Sequence, residues 1–449
     1  MRASFLGVAW LATLIACGAR TPLESMGGAG SDAPPDDAGG RGGAGGAGGA
    51  PVRLACGELD AEVPIALLPG SFAHDPATVF ASNDGRLVSL LHGLATDAGD
   101  ELDVLPIEPW EAWPPVVSQR FVFDSNGGRT FAVADQLLGY MAVLFDHQDA
   151  VDPSATGLNY AFGTSAALPQ NVLGYPVAEA SADPRGRFVI RGYDSPPVAP
   201  NTGYLAALAV WDAVDSSSDR RALYYGIGLG TSLFGIGLVT RPDDPPLACA
   251  DGPIAAAGLR VGDAWWVFAG SGSKLAHCDS TTVYAPNSIA FDRLDFGPPE
   301  TADWTVERSD SLPGEANVDQ IAAVPAKDGA LVWVLRGGRV DRVRASASGL
   351  ELGTPLELGG DGATTLLAAT SLGDGSLVAV VGEAAPSAVT VAYVDDEGEL
   401  VSQTTIEVSG VVNAISLLGS KLGDAGLLSL STDIGDLEVA RLDCLETVR

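Results

Sequence analysis

Along most of the chain, short apolar runs alternate with polar turns centred on glycine. In the last third, residues 330–335 (ALVWVL) are apolar throughout. Gly337-Gly338 follow as a two-residue hairpin loop, and residues 339–344 form the returning strand. Residues 346–349 turn again, 350–358 are extended, and 359–362 lead into a strand over 364–370. Gly373-Asp374-Gly375 then opens the same succession, with strands expected over 376–381 (SLVAVV), 389–394, 400–408 and 411–418. A third round starts at Asp424-Ala425-Gly426 with residues 427–430 and ends on 437–442. Each full round holds four strands. No window of roughly 11–18 residues carries the 3.6-residue apolar period of a helix.

The same turn-then-strand phrase is found upstream, as Asn83-Asp84-Gly85 before 86–88, Asn126-Gly127-Gly128 before 129–131, Arg185-Gly186 before 187–189, and Val261-Gly262-Asp263 before 264–266. The marker glycines are then Gly85, Gly128, Gly186, Gly262, Gly329, Gly375 and Gly426, 43 to 76 residues apart. Seven units of four strands, at a base period of about 40–50 residues, predict an all-β fold, a β-propeller of about seven four-stranded blades. The alternative is a string of tandem β-sandwiches, which also use short strands and frequent turns. The longer gaps are expected to hold insertions at 192–203, 241–253, 271–288 and 297–314. With 56 glycines and 29 prolines in 449 residues, breakers are frequent enough to leave little room for helices. The segment 124–131 (DSNGGRTF) resembles the Asp-box hairpin of sialidase-like propellers, with Asp124 and Asn126 in place of its Ser and Asp. That motif is structural and implies no activity.

The first fifty residues follow a different pattern. After Arg2, residues 5–15 (FLGVAWLATLI) are apolar apart from Gly7 and Thr13. As a helix they would reach about 16 Å, roughly half of a membrane's hydrocarbon core, which is a signal-peptide pattern and not a spanning helix. Leu14-Ile15-Ala16-Cys17-Gly18 resembles the lipobox of bacterial lipoproteins, with Ile15 larger than the usual small residue. The resemblance implies cleavage before Cys17 and lipid on its thiol, and two or three acyl chains would anchor the chain stably. By the same analogy, Gly18 in place of an aspartate favours the outer membrane. Residues 26–50 hold eleven glycines and no aromatic, so residues 18–50 are expected to be a disordered tether with an r.m.s. span of about 30 Å. The expected organisation is a signal peptide over 1–16, a lipidated cysteine and Gly/Ala-rich tether over 17–50, and the propeller-like domain over 51–449.

With Cys17 assigned to lipid, Cys56, Cys249, Cys278 and Cys444 remain, and an exported chain with four cysteines implies two disulfides in one of three pairings. Cys249–Cys278, a local staple, and Cys56–Cys444, which joins the start of the folded region to its end, are the favoured pair. A ring brings its termini together, as the second bridge requires. The net charge of −32 argues against nucleic acid, which needs a basic surface.

The residues do not nominate an active site. His74, His92, His147 and His277 lie far apart and read as loop or surface histidines, with no partner at metal-ligand spacing. There is no G-x-S-x-G elbow. The run 226–230 (GIGLG) lacks the spacing of a nucleotide loop and reads as a glycine-rich strand. Residues 394–399 (VDDEGE) read as an acidic hairpin tip. Trp110 and Trp113 are expected as wedges between blades, and of Trp265-Trp266 one ring should enter the core. No catalytic, cofactor or metal residue is assigned. The expected function is a membrane-tethered cell-envelope lipoprotein that presents a non-catalytic scaffold to a protein or glycan ligand. A glycan hydrolase or lyase on the same scaffold is the alternative.

Overall fold

The apolar runs become strands because both of their faces find a neighbour. In the computed structural model, described residues lie between 55 and 448, outside the segments 69–73, 83–87, 97–98, 111–112, 116–120, 125–130, 135–140, 148–156, 164–174, 177–188, 195–203, 216–219, 232–234, 240–246, 277–282, 297–303, 359–361 and 421–422 and the single residues 263 and 273. Side chains are described chiefly over 56–68 and 247–445. The strands form seven antiparallel sheets in chain order. Blade I comprises His74–Ser82, Val88–Thr96, Gly99–Ile107 and Phe121–Asp124. Blade II comprises Phe131–Ala134, Met141–His147, Gly157–Gly163 and Tyr175–Pro176. Blade III is built on Val189–Asp194, Tyr204–Asp215 and Arg220–Thr231. Blade IV comprises Ile254–Val261, Ala264–Ser271, Ile289–Phe296 and Trp304–Leu312. Blade V comprises Val318–Ala326, Gly329–Arg336, Arg339–Ser346 and Gly349–Leu352. Blade VI comprises Thr364–Leu372, Gly375–Gly382, Ala385–Val394 and Leu400–Glu407.

Blade VII is made from both ends of the folded region. Val412–Gly419, Ala425–Thr432 and Leu437–Val448 supply three strands, and Ala55–Ala61 pairs antiparallel with the last of them as the outermost strand. Ile65–Leu68 extends that pairing along Leu437–Val448. The first strands of the seven blades touch one another in a closed circuit, with that of blade VII meeting that of blade I. The fold is therefore a seven-bladed β-propeller, in which Pro51–Arg449 forms one compact unit, and not a string of sandwiches.

The alternation along each second strand shows how blades stack. In Gly329–Arg336, Ala330, Val332 and Val334 pack with Trp266 and Phe268 of blade IV, while Leu331, Trp333 and Leu335 pack with Val378 and Val380 of blade VI. Every residue of that strand is buried. A strand apolar on both faces is what stacking between two neighbours demands. Trp265 and Trp266 divide in the same way. Trp265 joins the cluster with Leu223 and Leu275 on the blade III side, and Trp266 packs toward blade V, 4.9 Å from Phe291 between ring centroids. Trp110 and Trp113 pack against the cluster between blades I and VII.

The blade turns need glycine at two kinds of place. Gly337 and Gly338, with φ of 55° and 78°, make the two-residue hairpin loop expected of them. At Gly329 and Gly375, a Cβ would strike the carbonyl oxygens of Ala345 and Val394 on the third strand of the same blade.

Three expectations are corrected. The repeat is right in number, but its phase slips in places: residues 128 and 186 fall before the first strands of blades II and III, not before the second strands. The same offset of one strand separates the rounds read from 330 onward from the blades, because a glycine turn precedes either strand and local pattern cannot rank them. The segments 241–253, 271–288 and 297–314 also contain strands. Ala248–Ala250, Lys274–Ala276 and Val283–Pro286 pair in succession onto blade III, and Gly235–Val239 joins its third strand. Trp304–Leu312 is the outer strand of blade IV. Lys274–Ala276 and Val283–Pro286 lie between the second and third strands of blade IV, so blade IV's insertion completes its neighbour.

Candidate functional site

Ala55–Ala61 and Ile65–Leu68, the strands that lead into blade I, reach blade VII only by pairing with Leu437–Val448, and polar residues gather at the seam of blades VII and I. Along Ala425–Thr432 the face toward blade VI carries Leu428 and Leu430, whereas the face toward blade I carries Leu427, Ser429 and Ser431. Opposite, Val88, Leu90 and His92 alternate along the second strand of blade I, paired with Ile107, Leu105 and Asp103 of the third. The apolar members pack together with Phe80, Leu437 and Val439. The polar members occupy the end of the seam near the turns between second and third strands. His92, Asp103, Ser429 and Ser431 are all at most 2% exposed.

Ser431 Oγ and His92 Nδ1 lie 3.3 Å apart, across 339 residues of sequence. His92 has Asp103 as its direct cross-strand neighbour on one side and Thr78 on the other. A hydroxyl, an imidazole and a carboxylate side by side have the composition of a hydrolytic triad. Buried between two blades, each polar atom in the seam must find its partner within it. The arrangement acts as a directional latch. His92 was expected on a loop or at the surface and is instead buried in mid-strand. His74 and His147 stand at the start and end of strands, and His277 lies outside the described residues.

The bridge Cys56–Cys444 secures the same blade. Cα atoms 5.2 Å apart join Ala55–Ala61 to Leu437–Val448 over a sequence separation of 388, as expected from the need to close a ring. Cys56 is buried with Tyr393, Val412 and Leu417, so the bond sits between blades VI and VII. Tyr393 is 1% exposed, and burial raises the pKa of its hydroxyl above the ordinary value. Cys249 is also disulfide-bonded; it stands opposite Ala276 in the strands added to blade III. Cys17 and Cys278 lie outside the described residues.

Charged groups elsewhere bridge neighbouring blades or brace a single strand. The acidic tip at 394–399 is a hairpin whose Asp395 Oδ1 accepts the backbone N–H of Glu397 and Glu399, at 3.0 and 2.8 Å. Arg342 and Arg344 of blade V reach across to it, at 2.8 Å from Glu399 and 2.6 Å from Glu397. Gln320, on the first strand of blade V, spans to blade VI. Its amide oxygen accepts the N–H of Leu367 at 2.9 Å, and its amide nitrogen donates to Thr365 O at 3.4 Å. Arg293-Leu294-Asp295 and Arg441-Leu442-Asp443 recur on the third strands of blades IV and VII with Nε–Oδ1 distances of 3.0 and 2.8 Å. This repeated R-L-D is visible in the sequence at 293–295 and 441–443. The run 226–230 lies within Arg220–Thr231, a strand as expected. Among the described residues, no three His, Cys, Asp or Glu side chains are grouped to hold a metal ion.

No protein-family model matches the sequence, and no curated protein matches it. Solved structures of similar chain course include a protein of unknown function from Dyadobacter fermentans DSM 18053, with a TM-score of 0.43, 9% identity, and coverage of 86% of this chain and 99% of that one. The NanB sialidase from Streptococcus pneumoniae has a TM-score of 0.43 and 10% identity, covering 85% of this chain and 70% of the sialidase. A prolyl endopeptidase has a TM-score of 0.41 and 14% identity, covering 81% of this chain and 46% of its own. At these scores and identities no activity or site residue is carried over.

Proposed function

We propose that the chain is an exported lipoprotein of the cell envelope, anchored by lipid on Cys17, in the outer membrane by the analogy at Gly18. Its propeller is a rigid, non-catalytic scaffold that binds a protein or glycan. The observation that carries the reading is the Cys56–Cys444 bridge. Structural disulfides belong to oxidising compartments, which agrees with a signal peptide at the other end of the tether. A ring locked across its two ends also suits a rigid support for binding loops. Fractionation of cells expressing the Cys17→Ala variant tests it: the protein should leave the membrane fraction, and unchanged retention would refute the anchor.

The enzyme reading has one observation in its favour, the juxtaposition of Ser431, His92 and Asp103. Ester hydrolysis by the purified chain that disappears in Ser431→Ala, with the fold intact by circular dichroism, would replace the scaffold reading with it.

A further inference from the structure

Arg336 ends the second strand of blade V, and its side chain is 3% exposed. Its Nη1 is 3.5 Å from Asp341 Oδ2, while Asp341 Oδ1 accepts the Nε–H of Arg339 at 2.9 Å. Arg339 is 62% exposed, so the buried groups are one guanidinium and one carboxylate. Nε and Nη2 of Arg336 are buried and have no hydrogen-bond partner, and neither has Asp341 Oδ2. Together Nε and Nη2 form one edge of the guanidinium, the fork that takes both oxygens of a carboxylate side-on. Other arginines hold their carboxylates closer than the 3.5 Å of Arg336 and Asp341: Arg342 and Arg344 at 2.8 and 2.6 Å, and Arg293 and Arg441 at 3.0 and 2.8 Å. Leaving N–H donors of a charged group buried without a hydrogen bond is unfavourable, and such a group calls for an explanation. The chain leading from blade IV to blade V passes over the guanidinium at Gly314, where a Cβ would strike it.

We propose that the Arg336 fork, at the seam of blades IV and V, is a binding site for the carboxylate group of a small ligand. Gly314 is the residue that allows the chain to close over the occupied site. The inference adds a ligand class to the scaffold and does not depend on the lipid anchor or on the absence of catalysis. Two other occupants are distinguishable: water, which brings no charge, and the carboxylate of the exposed Glu315 beside Gly314.

Sodium acetate is the probe, titrated into the full chain against sodium chloride at matched ionic strength, with the thermal unfolding midpoint as readout. The midpoint should rise saturably in acetate and not in chloride. Arg336→Lys keeps the charge without the fork and should bind at least tenfold more weakly, while Glu315→Gln should respond as the wild type does. Carbon-13 acetate on the wild-type chain gives a second readout that survives failure of Arg336→Lys to fold: the carboxylate resonance should shift or broaden on binding and recover on addition of formate. Absence of a saturable response and of a resonance change overturns the proposal. So does an equal response to chloride, or one in Arg336→Lys as tight as in the wild type. A response seen only in Glu315→Gln assigns the fork to the chain's own carboxylate and overturns it as well.

Discussion

At the seam between blades V and VI, Leu331, Trp333, Leu335 and Val340 pack against Leu367, Val378 and Val380, with Gln320 bonding across at the innermost strands. At the seam between blades VII and I, Phe80, Leu90, Leu105 and Ile107 pack against Leu427, Leu437 and Val439, but His92, Asp103, Ser429 and Ser431 fill the other end. The two seams solve different problems. Consecutive blades are delivered to one another by a short connection, so burial of apolar surface, which has no direction, is enough to join them. At the closing seam, His92 meets Ser431 from 339 residues away, because the C-terminal strands of blade VII are tied to blade I only through their pairing with Ala55–Ala61 and Ile65–Leu68. A long loop must be ordered before its contacts form. Directional hydrogen bonds select one register there, and a disulfide holds the outermost strand in place.

The comparison can be broken from either side. The largest effect is expected at the apolar seam. Trp333→Ala removes a fully buried ring and should lower stability by about 3–5 kcal/mol; denaturant unfolding measures it, and a loss below about 1 kcal/mol would show that blades V and VI do not depend on that packing. Replacing both Cys56 and Cys444 by serine should lower stability by about 2–5 kcal/mol. Hydrogen exchange should then show Ala55–Ala61 and blade VII losing protection before blades IV to VI. Uniform loss around the ring would mean that closure is no weaker than any other seam.

Smaller effects refine the picture. His92→Ala strands a buried hydroxyl at Ser431 and should cost about 1–3 kcal/mol. A double-mutant cycle with Ser431→Ala should return a coupling of about 0.5–3 kcal/mol, and additivity would remove the latch from the argument. The smallest effect is confined to alkaline pH. Because burial raises the pKa of Tyr393 above 10.0, the folded state holds the phenolic proton more tightly than the unfolded chain does. That stabilisation is complete below pH about 10 and is lost as pH rises through the folded value. Tyr393→Phe should therefore flatten the decline in stability measured from pH 9 to 11, and an unchanged slope would place the tyrosine elsewhere in the alkaline transition.

Much of the ring was legible in the chain, and the parts that were not share a cause. Runs such as 330–335 and 376–381 announced strands buried on both faces, because stacking between two blades demands apolar residues at every position. Gly337-Gly338 announced their hairpin, because positive φ at both positions selects glycine. The cysteines near the two ends suggested closure, since a ring is the architecture that brings distant termini together. Local pattern could not assign a strand to the first or second place in its blade, nor show that an insertion of blade IV extends blade III, because pairing partners are chosen by the sheet. It could not foresee His92 against Ser431, or Arg336 and Arg339 sharing Asp341. Periodicity records which face of a strand is buried, and only the tertiary structure decides what that face meets.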